Sequence, residues 1–169
     1  MDDVRWLIAR ELPRLRRYAL GLVADAAAAD DLVQDCLERA LRKQHLWRRH
    51  GSIRGWLYRI LFRVFLNQGA QRRRARVHVS FDTVEDTMAT HSSLDARVAC
   101  IEIEAAMQRL PPDQRAAIVL TAVEGLSYDE AAEVMGVPIG TLRSRLFRAR
   151  EQLRCVWVDR TETTVRRVK

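Results

Sequence analysis

The chain has 169 residues, 29 Lys and Arg against 22 Asp and Glu, and a formal net charge of +7. That length excludes a large enzyme and allows one domain or two small ones, while a hydrophobic content of 48% argues against a wholly disordered chain. No apolar run approaches the roughly 18 residues that would span a bilayer.

The apolar spacing is helical almost throughout, with only 7 Gly and 4 Pro to interrupt it. Val4, Leu7 and Ile8 lead to Pro13, which is best placed in the first turn of a second helical segment continued by Leu15, Ala19, Leu22 and Val23. A further helix over about 27–43 carries Leu32, Val33, Cys36, Leu37, Ala40 and Leu41 on one stripe. The next runs from about Ser52 to the Arg72–Arg74 cluster, with Ile53, Leu57, Ile60, Leu61 and Val64 toward a core. Residues 77–96 break the period; they hold four acids, no Lys or Arg and many Ser and Thr, which reads as a linker. Helical spacing resumes at about Leu94 and reaches Leu110, and Pro111-Pro112 opens another helix through Val123. Two units of about 75 and 65 residues result, each expected to have a small core of its own.

The segment 127–154 is the most specific. Ser127 and Glu130 form a capping box, Gly136-Val137-Pro138 supplies a tight turn, and Leu142, Leu146, Ala149 and Leu153 make the buried row of a second helix. Cap, turn and row predict a helix-turn-helix. The opposite face presents Arg143, Ser144, Phe147 and Arg148, the donors and apolar contact that a major-groove helix needs.

Charge is segregated along the chain. Residues 39–76 carry 12 basic and no acidic side chains, and 143–169 carry 9 and 3, with acidic sequence before and between them. In the first block Arg59, Arg63 and Asn67 recur every four residues on one helix face, with Trp56 one turn earlier. An aromatic ring, arginines and an amide together suit single-stranded or partly opened DNA. The preceding stretch from His45 to Gly51, with Arg48 and Arg49, reads as a loop able to enclose an extruded base. Cys36, Cys100 and Cys155 show no CxxC or Cys/His spacing, so neither a disulfide framework nor a metal site is expected. The N-terminus MDDVRWLIARELP has no secretion-signal pattern, and a cytoplasmic protein is expected. No paired carboxylates, nucleophile with base, or phosphate-binding Gly loop points to an enzyme. On these residues a conventional helix-turn-helix regulator, with 1–76 as a ligand or dimerisation domain, also stands.

Over about residues 12–155 the chain resembles an extracytoplasmic-function (ECF) sigma factor of the sigma-70 family. The stretch LPPDQRAAIVLTAVEGLSYDEAAEVMGVPIGTLRSRLFRARE at 110–151 is similar to region 4, DLVQDCLERAL at 31–41 to the polymerase-binding helix, and RGWLYRILFRVFLN at 54–67 to the strand-melting segment. The resemblance implies an all-α fold of two small helical domains joined by a flexible acidic linker, the C-terminal one a helix-turn-helix. It divides the chain into 1–76 (region 2), 77–100 (linker), 101–160 (region 4) and 161–169 (tail). It implies core polymerase binding by Asp31, Gln34, Asp35 and Leu37, and minus-ten contacts by Arg48, Arg49, Trp56, Arg59, Arg63 and Asn67. Minus-thirty-five contacts fall to Thr141, Arg143, Ser144, Phe147 and Arg148. Arg63 stands where relatives often carry Asn, and Thr121 where some carry a basic residue. The implied partners are core RNA polymerase (its β′ clamp helices and β flap), promoter DNA and an anti-sigma factor. No cofactor, metal or membrane insertion is implied.

Overall fold

The structure, a computed structural model, describes residues 4–47, 51–76 and 94–167, with side chains over 4–47, 51–71 and 101–155. The linker expected at 77–93, and Arg48, Arg49 and His50 of the expected loop, lie outside the described residues.

Helix α1 spans Val4–Val23 and buries Ile8, Leu15, Tyr18, Ala19 and Leu22. Pro13 sits inside it rather than starting a second helix, so the expected break is absent. The reason is positional. Pro13 and Ala9, whose carbonyl loses its partner, both lie on the exposed face, where water replaces the bond, while buried residues on either side hold the axis. Ala24, in the left-handed region at φ 56°, ends α1. The Asp25 side chain then accepts from the Ala28 N–H at 2.6 Å and starts α2, Ala26–Arg42. The two-residue connection lays α2 back along α1. After a 3₁₀ turn at Gln44–Leu46, α3 (Ile53–Arg76) completes a three-helix unit with Leu57, Tyr58, Leu61, Phe62, Val64 and Phe65 buried.

The second unit holds α4 (Leu94–Arg109), α5 (Pro112–Ile118), α6 (Tyr128–Met135) and α7 (Ile139–Arg167). The helix opened by Pro112 is α-helical only to Ile118 and continues as a π turn over Val119–Val123. Both halves of the predicted capping box are present: Ser127 Oγ accepts from the Glu130 N–H, and the Glu130 carboxylate accepts from the Ser127 N–H at 2.9 Å. The bonds that Ser127 donates to this carboxylate, from its N–H and its hydroxyl, hold the Glu130 carboxyl below its ordinary pKa. Gly136 closes α6 at φ 66°, and α7 starts behind Pro138 with Leu142, Leu146 and Ala149 buried, which is the expected helix-turn-helix.

A Cβ on Gly136 would meet no atom within 4 Å, so the only penalty of a side chain there is its left-handed backbone. Gly136→Ala is expected to lower stability by about 1 kcal/mol, read in urea unfolding.

The two units do not keep separate cores. One buried cluster runs from Ile8 and Leu15 through Leu61 to Leu120, Leu142 and Ala149. Helix α5 and the π turn pack on α1, and α6 packs on α3. A Cβ on Gly21 would stand 2.7 Å from Cγ1 of Val119, so the bare backbone of α1 is what lets the π turn approach. Small helical units of this size leave apolar faces uncovered, and covering each with the other removes both from water.

Candidate nucleic-acid interface

On α7 the buried row Leu142, Leu146, Ala149 forces Arg143, Ser144, Phe147 and Arg148 to the outside. Phe147 is 67% exposed, which leaves its ring free to meet a partner. Arg145 is turned away and pairs with Asp113 of α5 at 2.9 Å, fixing α7 on its scaffold. Ser144 Oγ donates to the Thr141 carbonyl at 2.9 Å, and Thr141 itself is half-buried. This face therefore offers two guanidinium groups, a hydroxyl and an apolar ring, free of intramolecular ion pairs among the described residues. Thr121 lies in the π turn, its hydroxyl donating back to the Ala117 carbonyl at 2.8 Å.

On α3 the expected set is divided. Arg63 and Asn67 are exposed, whereas Trp56 is half-buried against the core and Arg59 reaches across to Glu133 of α6 at 2.7 Å. Between α3 and α6 lies a cleft of ≈ 830 Å³, with Trp47, Trp56, Arg59, Arg63, Leu126 and Glu133 among its walls. Trp47 Nε1 and Arg59 Nε are buried without a hydrogen-bond partner from the described residues. The cleft joins aromatic rings to cations, as a site for bases and phosphates requires, and α6 closes one side of it.

On α2, Asp31 and Gln34 are exposed, and Asp35 is half-buried, accepting from Gln68 of α3 at 2.9 Å. Leu37 turns instead toward the core. The acidic edge and the apolar side chain thus occupy different sides of one helix. Cys36 is buried, its thiol donating to the Leu57 carbonyl, and burial pushes its pKa up to about 12, whereas Cys155 is exposed. Among the described residues no group of three His, Cys, Asp or Glu is placed to hold a metal, and no helix is long and apolar enough to cross a membrane.

Sequence reasoning missed the groups that join the units. Glu124, its side chain 1% exposed, accepts from Arg17 Nε at 2.6 Å and Nη2 at 3.0 Å, and from the Tyr58 hydroxyl. Burial, and then the bond to Glu124, raise Tyr58 well above an ordinary phenol, and the same carboxylate raises Arg17. Tyr18 packs against Tyr58 with ring centroids 5.0 Å apart and planes tilted by 45°. Arg115 reaches from α5 to the carbonyls of Leu22, Gln108 and Leu110. The only hint in the sequence was an acid closing the apolar run AAIVLTAVE.

A family model described as Sigma-70, region 4 matches residues 100–153, and one described as the Sigma2 domain of PhyR matches residues 8–62. The ECF RNA polymerase sigma factor EcfG of Rhodopseudomonas palustris is 35% identical over 162 residues, covering 95% of this chain and 89% of that protein. The chain belongs to the ECF sigma factor family. Its length and architecture agree with that placement. The RNA polymerase sigma-H factor of Pseudomonas aeruginosa is 37% identical over 150 residues, with 79% of this chain and 77% of that one covered. The sigma factor RpoE of Bartonella quintana, solved in complex with the anti-sigma factor NepR, matches with a TM-score of 0.78 at 34% identity, over 93% of this chain and 98% of that one. CnrH, solved with the cytosolic domain of CnrY, matches with a TM-score of 0.65 at 28% identity, over 91% and 86%. As a sigma factor the chain binds core RNA polymerase and directs it to promoters.

Proposed function

We propose that the two helical units divide promoter recognition between them. Residues 1–76 act as region 2, docking on the β′ clamp helices through Asp31, Gln34, Asp35 and Leu37 and taking the opened minus-ten strand on Arg48, Arg49, Trp56, Arg59, Arg63 and Asn67. Residues 101–160 act as region 4, set on duplex minus-thirty-five DNA by Thr141, Arg143, Ser144, Phe147 and Arg148 and on polymerase at the β flap. The work is binding and strand opening rather than covalent chemistry, and it takes place in the cytoplasm. The observation that carries this reading is the α7 face, where four side chains suited to base and phosphate contact stand exposed on a capped helix-turn-helix. Regulation by a sequestering anti-sigma factor is supported by RpoE and CnrH, each solved with another polypeptide and the former with an anti-sigma factor.

Transcription in vitro from a genomic promoter library tests the reading. Addition of the chain to core polymerase is expected to start transcripts downstream of paired minus-thirty-five and minus-ten elements, with no promoter opening by the chain alone. Tight binding to a palindromic site without polymerase, and no initiation with it, would instead identify a conventional helix-turn-helix regulator.

A further inference from the structure

We propose that the free chain is held in a closed, DNA-incompetent form by a latch. In it Glu124 of the second unit locks onto Arg17 and Tyr58 of the first, and α6 is thereby held against the minus-ten face of α3 at Arg59, narrowing the cleft beside Trp56 while Arg63 and Asn67 stay exposed. The inference rests on the assignment of Arg59 and Trp56 to the minus-ten strand.

The latch begins in the backbone. The π turn places one extra residue between Val119 and Glu124, so the Glu124 N–H donates to the Val119 carbonyl at 2.9 Å and that of Leu126 to Leu120 at 3.0 Å. One added residue rotates the downstream side chains by roughly 100° about the helix axis. Glu124 thereby faces the first unit. Arg17 comes from α1 and Tyr58 from α3, so a single carboxylate ties down two of that unit's three helices. An isolated carboxylate buried to this degree would be strongly unfavourable; three donors from across the interface compensate it only while the units are docked. When they part, water solvates every one of these groups. The contact therefore adds a specific, solvent-exchangeable element to the apolar seam that the two units share.

The second contact sits on the site itself. Glu133 of α6 occupies Arg59 as a carboxylate in the place where a backbone phosphate is assigned, and α6 forms a wall of the cleft beside Trp56. An exposed ion pair of this kind adds little stability, so Glu133 masks Arg59 while Glu124 supplies the hold.

Dimensions require the closed form to open. Elements named minus-ten and minus-thirty-five lie about 25 base pairs apart, or roughly 85 Å at ~3.4 Å per base pair. A compact chain of this length is only about 40 Å across. It cannot hold both elements without separating its units.

Gly21 offers the means to trap the closed form. A Cβ at Gly21 stands 3.5 Å from Cβ of Val119, at the near edge of disulfide geometry. The double variant Gly21→Cys/Val119→Cys, in the full chain with Cys100→Ser and Cys155→Ser and with the buried Cys36 left in place, is expected to oxidise to an intramolecular disulfide. With core polymerase, the oxidised protein is expected to start transcripts more than about tenfold less than its dithiothreitol-reduced form. Equal initiation by the two forms, or no crosslink in a folded protein, overturns the latch. Failure of the reduced form and of the unmodified chain alike would overturn the sigma assignment instead. A second variant does not depend on the crosslink. Glu124→Gln weakens the lock, and the free chain is then expected to bind a fluorescent single-stranded minus-ten oligonucleotide about fivefold more tightly, a gain that misfolding does not produce. Unchanged or weaker binding by a folded Glu124→Gln chain would also overturn the proposal.

Discussion

Arg115→Met is expected to lower the folding stability by about 3 kcal/mol, the largest single-residue effect foreseen outside the apolar core. Arg115 is only 8% exposed, and its guanidinium donates to Gln108 O at 2.7 Å, Leu110 O at 3.1 Å, the Gln108 side chain and Leu22 O. Gln108 and Leu110 lie at the end of α4, and Leu22 at the end of α1. Helix C-termini present unpaired carbonyls and partial negative charge, and one planar cation with five N–H donors meets both ends at once. Burial by itself lowers the Arg115 pKa, yet the group stays charged because an arginine starts so far above neutrality. Methionine keeps the apolar stem and removes the donors, so the loss reports the hydrogen bonds rather than a cavity. Lysine keeps the charge and not the fork, and is expected to recover about half. Urea unfolding read by circular dichroism measures both, and a change under about 0.5 kcal/mol for Arg115→Met would show that the clasp contributes nothing.

Arg143→Ala is expected to weaken minus-thirty-five recognition by about 1–3 kcal/mol, roughly five- to 150-fold in promoter affinity of the holoenzyme. Arg143 is exposed at the start of the recognition helix and makes none of the ion pairs found among the described residues, so its removal leaves the fold intact. The effect must then come from DNA. A guanidinium that reads a guanine edge through two bonds is needed at one base position only, and the variant should tolerate every base there. Scanning single substitutions through the minus-thirty-five element in a holoenzyme binding assay separates the outcomes. Uniform weakening on all sequences, with a shallower salt dependence, would make Arg143 a phosphate contact. No change in affinity would remove it from the interface.

How far each feature was legible in the sequence depends on the range of the interactions behind it. The recognition helix was readable because burial of Leu142, Leu146 and Ala149 dictates that Arg143, Ser144, Phe147 and Arg148 point outward. The capping box is equally local, since Ser127 and Glu130 are three residues apart. Pro13 misled because the cost of a missing N–H depends on whether water reaches the orphaned carbonyl, which spacing does not state. The π turn escaped because the run from Pro112 to Val123 carries an ordinary helical pattern. Spacing placed Arg59 and Trp56 on the helix face expected to meet nucleic acid, but it did not show that α6 stands beside that face with Glu133 on Arg59.

By itself, then, the sequence determined the all-helical class, the helix-turn-helix, the segregation of charge and the family. Each of these rests on residues a few positions apart or on motifs read in order. Only the tertiary structure decided that the two units share one core and that Glu124 meets Arg17 and Tyr58 across 107 and 66 residues of chain. It also decided that Glu133 lies on Arg59. The physical reason is burial. A carboxylate in an amphipathic pattern reads as solvated until a second unit brings its donors and excludes the water, and no local spacing records where that unit comes to rest.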